Sequence, residues 1–140
     1  SHAFFGEKDF QQLCVINKLV FDLNYSIEVI SCPIIREKNG LAMSSRNKYL
    51  TKEEYIISSI IYKSLQDGKD LLKRDENNPQ YVKNVIEKRL KKEKFIEIDY
   101  ISIADRETLI EIYDEIKGEI VVSLAVKLGK TRLIDNFIFP

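Results

Sequence analysis

The stretch Ala3-Phe4-Phe5-Gly6-Glu7-Lys8-Asp9-Phe10-Gln11-Gln12-Leu13 contains the change from strand to helix that decides the fold of the first part of the chain. Residues 3–5 are short and apolar, as at the end of a strand, and helix signals begin directly after Gly6. The apolar residues beyond recur at spacings of three and four, which places them on one helix face: Leu13, Ile16, Val20 and Leu23. Residues 26–32 then alternate between apolar and polar, as a strand does. This order predicts one βαβ unit with parallel strands.

The remainder of the chain predicts two helices followed by a small antiparallel sheet. Thr51 and Glu54 form a capping box, in which each side chain bonds an exposed backbone N–H at the start of a helix. Asn78 and Pro79 start the next helix, with asparagine as the cap and proline at the first helical position. The predicted strands are residues 96–103, 119–128 and 131–139, the last two joined by a hairpin turn at Gly129-Lys130.

The predicted fold class is therefore α/β followed by α+β. The first domain, residues 1–34, holds the βαβ unit, which would be the last unit of a larger sheet. The second domain, residues 35–140, is a small domain of helices and antiparallel sheet.

Composition and charge exclude several classes of protein. The chain has 140 residues, 44% apolar and 31% charged, so a packed core is expected. Its 22 lysines and arginines balance 22 aspartates and glutamates, which argues against nucleic acid or a membrane as a partner. Cys14 and Cys32 lack the spacing of a metal site. We expect them to be reduced, mostly buried thiols of a cytoplasmic protein, and we predict no protein metal site.

A second stretch, Gly40-Leu41-Ala42-Met43-Ser44-Ser45-Arg46-Asn47, combines a glycine, two adjacent hydroxyls and a guanidinium. Backbone N–H groups, short hydroxyls and an arginine fork are the groups with which proteins bind phosphate oxygens. Serine, asparagine and glycine also form ordinary loops, so this stretch alone leaves both interpretations open.

These two stretches and Arg132-Leu133-Ile134-Asp135-Asn136 make the chain resemble the pantothenate synthetase family, from about Ala3 to Phe139. Members of that family join pantoate to beta-alanine with ATP, through a pantoyl-adenylate, and release AMP and pyrophosphate. The resemblance covers only the C-terminal half of such an enzyme. It implies the last βαβ unit of a Rossmann-like nucleotidyltransferase domain, followed by a lid domain. It also implies ATP and Mg²⁺ as cofactors, a cytoplasmic homodimer, and a fragment that is inactive alone.

The resemblance also implies the site residues. The implied ATP contacts are Gly6, Lys8, Asp9, Ile35, Met43, Ser44, Ser45 and Arg46. Among these, Lys8, Ser44, Ser45 and Arg46 would be catalytic because they would contact phosphate oxygens, and Lys8 the acyl-adenylate as well. Gln12 would bind pantoate. A helix places positions 8 and 12 one turn apart on the same face, so Lys8 and Gln12 are expected to contact one ligand.

Several alternatives stay open at this point. Met43 could pack in the core instead of lying near the adenine. Arg132 and Asp135 are expected to pair and fix the sheet rather than to contact a ligand. Asn39 stands where the family commonly has aspartate, and asparagine tolerates the same turn.

Two other functions compete with the one that the resemblance implies. The first is another adenylate-forming or nucleotidyltransferase enzyme on a related fold. The second is a non-catalytic binding or assembly module that keeps only the fold.

Overall fold

A computed structural model describes residues 1–140 as two compact units, Ser1–Ile35 and Arg36–Pro140. The division falls one residue after the boundary that the sequence predicts. No helix in either unit is long and apolar enough to cross a bilayer.

The first unit is a βαβ unit. Strand β1 (His2–Gly6) leads through a short 3-10 helix (Glu7–Asp9) into helix α1 (Phe10–Asp22), and strand β2 (Glu28–Cys32) follows. The two strands are parallel and in register from His2 opposite Glu28 to Gly6 opposite Cys32. The predicted parallel βαβ arrangement is therefore confirmed, as a sheet of two strands.

The sequence predicts that helix α1 begins directly after Gly6, but the helix begins at Phe10. Residues 7–9 form the 3-10 helix, and Asp9 has φ −94° and ψ 62°, which lies outside the helical region. The helical path is therefore interrupted between Lys8 and Phe10. The expected one-turn spacing of Lys8 and Gln12 on a single α-helix does not apply.

The first unit buries little of its own apolar surface. On α1 only Phe10 and Leu13 are buried, and the predicted face also includes Leu23, which is 53% exposed. Other exposed apolar side chains of this unit are Phe4, Val15, Leu19, Phe21, Tyr25 and Ile27. Both cysteines are free thiols of intermediate exposure, which agrees with the expectation that they are mostly buried. A two-stranded sheet and one helix have too small a shared face to cover the exposed apolar side chains.

The two helices of the second unit begin where the sequence predicts. Helix α2 (Lys52–Leu72) starts with the capping box: the Glu54 N–H donates to Thr51 Oγ1 (3.1 Å), and the Thr51 N–H donates to Glu54 Oε2 (2.9 Å). Helix α3 (Pro79–Leu90) starts after Asn78, whose Oδ1 accepts a hydrogen bond from the Tyr81 N–H at 3.1 Å. Both caps satisfy backbone donors that the first helical turn leaves open.

The sheet of the second unit is an antiparallel meander. Its strands are β3 (Ile96–Asp105), β4 (Ile120–Leu128) and β5 (Thr131–Phe139), in the order β3-β4-β5. The strands pack with α2 and α3 in one core, whose fully buried members include Ile61, Leu65, Val82, Ile86, Leu90, Ile103, Leu124 and Val126. At Gly68 of α2 a Cβ would lie 2.8 Å from Ile86 Cδ1, so this glycine allows α2 and α3 to approach closely.

A charged network lies at one end of β3. The Glu111 carboxylate accepts hydrogen bonds from the Ile103 N–H (3.1 Å), the Ser102 hydroxyl and the Lys83 ammonium. Partial burial would raise the pKa of Glu111, but the hydrogen bonds outweigh it and hold that pKa below its usual value of 4.5. The charged form of Glu111 is therefore the form that the fold stabilises.

We expect Glu111→Gln to weaken the acid dependence of stability. Because the folded pKa is lowered, the stabilisation by Glu111 is present above pH 4.5 and is lost as the pH falls through the folded pKa. The variant should therefore be less stable at neutral pH and should lose less stability on acidification. Thermal unfolding from pH 7 to pH 3 measures this, with Glu107→Gln as the control because Glu107 is exposed. Equal pH slopes for the wild type and Glu111→Gln would contradict the prediction.

Candidate functional site

The Gly40 to Asn47 stretch, called here the serine–arginine loop, begins in a tight turn. The Glu37 N–H donates to the Leu41 carbonyl (2.8 Å), and the Gly40 N–H donates to the Glu37 carbonyl (2.9 Å). Gly40 has φ +93°, and a Cβ there would lie 2.6 Å from Tyr62 Cδ1. Only glycine fits this backbone conformation and this close approach. Leu41 is buried, and the start of the loop is therefore fixed to its unit.

The second half of the loop carries the polar groups. Ser44 is extended and caps a short 3-10 helix (Ser45–Tyr49), and its Oγ accepts a hydrogen bond from the Arg46 N–H at 3.2 Å. Since this Oγ acts as an acceptor, the Ser44 hydroxyl proton remains able to donate to a ligand. Ser45 and Arg46 are exposed, and the Arg46 guanidinium has no carboxylate partner within the chain. Met43 is 50% exposed, so the alternative of core packing for Met43 is not supported.

Asn39 anchors the loop in a way that the sequence does not reveal. Its Oδ1 accepts from the Leu41 N–H (3.0 Å), while its Nδ2 donates to the Tyr55 carbonyl (2.8 Å) and to Ser58 Oγ (3.2 Å). An aspartate would keep the first of these bonds and would have no N–H for the other two. Asn39 therefore tolerates the conformation of the turn at residues 37–41 and also joins that turn to the start of α2.

A second anchor is an ion pair between Arg36 and Asp135. Arg36 Nη1 and Nη2 lie 2.6 Å and 3.0 Å from the two carboxylate oxygens of Asp135, and Nη1 also donates to the Gly40 carbonyl at 3.0 Å. The Arg36 guanidinium lies 4.1 Å from the centroid of the Tyr62 ring. The Asp135 side chain is 1% exposed. This pair ties the start of the loop to β5.

The predicted pairing of Arg132 with Asp135 is wrong. Arg132 instead donates to Asp99 on β3, with distances of 3.0 Å and 2.8 Å. Residues three apart on a strand lie on opposite faces of the sheet, so Arg132 and Asp135 cannot meet. Arg132 is accordingly exposed, and Asp135 is buried.

The remaining candidates belong to the first unit. Gly6 ends β1, Lys8 lies half-buried in the 3-10 helix, and Asp9 and Gln12 are exposed at the start of α1. Ile35, the last residue of the unit, is 70% exposed. Polar and charged side chains thus gather where β1 passes into α1, at the carboxyl end of a parallel strand, where open α/β sheets bind ligands.

No group of three or more histidine, cysteine, aspartate or glutamate side chains is placed to hold a metal ion. Apart from the Asp9 carboxylate, the polar candidate side chains are hydroxyl, guanidinium, ammonium and amide groups. These are donors suited to anions and to hydroxyl-bearing ligands.

The chain is similar to many known proteins of one kind. The family model for Pantoate-beta-alanine ligase matches residues 1–138. Pantothenate synthetase from Clostridium botulinum (strain Kyoto / Type A2) is 51% identical over 137 residues, which are 98% of this chain and 48% of that protein. The enzyme of the same name from Acetivibrio thermocellus is 50% identical over 136 residues, or 97% of this chain and 48% of its own length.

Solved structures give the same result. The crystal structure of pantothenate synthetase from Thermus thermophilus matches with a TM-score of 0.89 at 34% identity, covering 97% of this chain and 49% of that one. The pantoate-beta-alanine ligase from Francisella tularensis, complexed with beta-gamma ATP and beta-alanine, matches with a TM-score of 0.64 at 32% identity, covering 98% of this chain and 43% of its own.

The chain thus spans about half the length of the curated relatives that it matches. The family match itself extends over nearly the whole chain, including both units and every candidate residue. The chain therefore belongs to the pantoate–beta-alanine ligase family.

Proposed function

We propose that the whole protein condenses pantoate with beta-alanine in an ATP-dependent reaction that forms a pantoyl-adenylate and releases AMP and pyrophosphate. The observation that carries the proposal is the serine–arginine loop: an anchored turn presents the Ser44 hydroxyl and an exposed, unpaired Arg46 guanidinium in a chain of this family. The Francisella tularensis relative, solved with beta-gamma ATP and beta-alanine, supports ATP and beta-alanine as substrates.

The proposed reaction needs positioning more than covalent help. A carboxylate oxygen of pantoate attacks the α-phosphorus of ATP, pyrophosphate leaves, and the amine of beta-alanine then displaces AMP. Negative charge must be neutralised while the reactants are held in line, and fixed donors supply most of that effect. Ser44 and Ser45 would donate to the β- and γ-phosphate oxygens, and Arg46 would stabilise the departing pyrophosphate.

The first unit would contribute the other contacts. Gly6 and Asp9 would bind the ribose, Lys8 the phosphates and the acyl-adenylate, and Gln12 pantoate. Ile35, through its backbone, and Met43 would lie near the adenine. In this proposal β1, α1 and β2 are the last βαβ unit of a Rossmann-like nucleotidyltransferase domain, and the second unit is a lid domain.

In this proposal the metal ion is bound by the phosphates of the nucleotide and not by a site on the protein. Mg²⁺ is commonly bound through substrate phosphates with few protein carboxylates. The hydroxyl and guanidinium donors of the serine–arginine loop fit a metal held in that way, which would supply further charge neutralisation at the phosphates. A cytoplasmic location and a homodimer complete the proposal.

The direct test is ATP–pyrophosphate exchange by the full-length enzyme. Exchange that depends on pantoate, followed by AMP release on adding beta-alanine, is the expected result. Exchange stimulated by a different carboxylic acid would indicate another adenylate-forming enzyme of related fold. No exchange with any acid would favour a binding or assembly module.

We expect Gln12→Ala in the full-length enzyme to raise the KM for pantoate by about tenfold, since hydrogen bonds to a charged ligand contribute about 1.5–3 kcal/mol. The KM for ATP should change little because the proposed contact of Gln12 is with pantoate alone. Gln11→Ala is the matched control, because Gln11 is an adjacent, equally exposed glutamine on α1. Steady-state kinetics with each substrate varied in turn measure both values. An unchanged pantoate KM in Gln12→Ala would remove Gln12 from the site.

A further inference from the structure

The contacts of Arg36 point to a role that differs from that of Arg46. One guanidinium nitrogen, Nη1, bonds both the Gly40 carbonyl and Asp135, and Nη2 bonds the second Asp135 oxygen. The guanidinium carbon lies over the ring of Tyr62. The Arg36 side chain is only 20% exposed, whereas Arg46 is exposed and without a carboxylate partner. Both Nη nitrogens of Arg36 therefore already donate hydrogen bonds within the protein.

We propose that Arg36 is a positioning residue for the serine–arginine loop, a role that rests on the proposed function of that loop. It clamps the Gly40 carbonyl to Asp135 on β5, and it thereby fixes the turn from which Ser44 and Arg46 are presented. Arg36 acts through the loop and does not itself bind phosphate.

The geometry requires the forked shape of arginine. A single guanidinium reaches a carbonyl and both oxygens of one carboxylate, which a lysine ammonium cannot reproduce in this planar, stacked arrangement. Asp135 is in turn held by its neighbour, because its Oδ1 accepts the Asn136 N–H at 2.8 Å. Tyr62 supports both ends of the clamp, since it contacts the Arg36 guanidinium and fills the space where a Gly40 side chain would stand.

The second unit contains a matched control. Arg89 on α3 and Asp67 on α2 form an ion pair with two contacts of 2.6 Å and 3.0 Å, the same distances as between Arg36 and Asp135. The side chains of Arg89 and Asp67 are 34% and 31% exposed, which is more than those of Arg36 and Asp135, and their hydrogen bonds join α3 to α2 rather than to the loop. Arg89→Lys therefore removes the same kind of bond without touching the loop.

The test compares Arg36→Lys with Arg89→Lys in the full-length enzyme. The first readout is amide hydrogen exchange of residues 41–47 without nucleotide, which does not depend on any activity. The second is pantoate-dependent ATP–pyrophosphate exchange, with kcat and both KM values.

We expect Arg36→Lys to speed amide exchange in the loop and to lower kcat by about tenfold or more, because small misplacements of reacting groups are costly. The pantoate KM should stay within about twofold, as expected when transition-state contacts alone are lost. Arg89→Lys should change neither loop exchange nor kcat.

Asp135→Asn and the double variant with Arg36→Lys separate a clamp from direct phosphate binding. If Arg36 acts through Asp135, the double variant should be no worse than the poorer single variant. Effects on kcat that multiply would overturn the proposal in favour of a direct contact. Equal loop exchange in Arg36→Lys and Arg89→Lys would also overturn it, and this comparison stands even if Asp135→Asn fails to fold. A wild-type enzyme without pantoate-dependent exchange would refute the proposed function, while the amide comparison would still decide the role of Arg36.

Discussion

Replacing Arg46 with alanine in the full-length enzyme is expected to slow pantoate adenylation by about 10²-fold or more. The structure leaves this guanidinium exposed and without an ion-pair partner, next to a serine that caps the same short helix. Loss of one charged donor that stabilises a transition state costs about this factor. Capture of beta-alanine by preformed pantoyl-adenylate should be much less affected, because pyrophosphate has already left. Rapid-quench measurement of the two half-reactions separates these steps.

Lys48 provides the control for Arg46. It is an exposed cation on the same short 3-10 helix, and its ammonium lies 5.2 Å from the centroid of the Tyr49 ring. Lys48→Ala should leave both half-reactions nearly unchanged. Equal losses in the two half-reactions of Arg46→Ala would refute the assignment of Arg46 to the pyrophosphate.

The 140-residue chain alone is expected to make no pantothenate. Its relatives are about twice as long, and the prediction assumes that the half of the relatives that this chain does not match also contacts ATP. Reactants that are not held in line lose the rate advantage of positioning, which is worth about 7–11 kcal/mol. A coupled assay of AMP release, on protein whose mass confirms 140 residues, measures this.

The full-length enzyme at the same concentration is the control for that assay. The short chain should also associate, because β1 and β2 each have an unpaired edge and the unit exposes many apolar side chains. Light scattering detects such association. Turnover by the short chain that requires pantoate, beta-alanine and ATP would show that the two units suffice.

The elements that the sequence predicts well depend on neighbouring residues. The Thr51–Glu54 capping box, the Asn78 cap and the β4–β5 hairpin each follow from signals within a few positions, and the structure contains all three. The start of α1 is predicted less well, since no residue type announces the 3-10 path before Phe10.

In the candidate site, too, the sequence indicates some residues and leaves others to be found from the structure. Apart from Ile35, the residues that would contact ligands stand in two continuous motifs. Their sequence alone therefore draws attention to them, although their roles remain a proposal. The residues that support the loop are not indicated by the sequence in this way. Arg36 finds Asp135 across 99 positions, and Tyr62 reaches Gly40 from the face of a helix. Arginine and aspartate near a motif suggest an ion pair but not which partner is chosen, and the strand geometry of β5 decides that choice.

The distance along the chain between Arg36 and Asp135 has a consequence for protein synthesis. At about 5–20 residues per second, Arg36 is translated roughly 5–20 s before its partner. The turn at residues 37–41 is held by hydrogen bonds between nearby residues, whereas its clamp needs Asp135 on β5. A polypeptide released by the ribosome before Asp135 would keep the Ser44 and Arg46 side chains and lack their anchor. Asp135 therefore completes the anchor of a loop that was translated much earlier and that is proposed to bind phosphate.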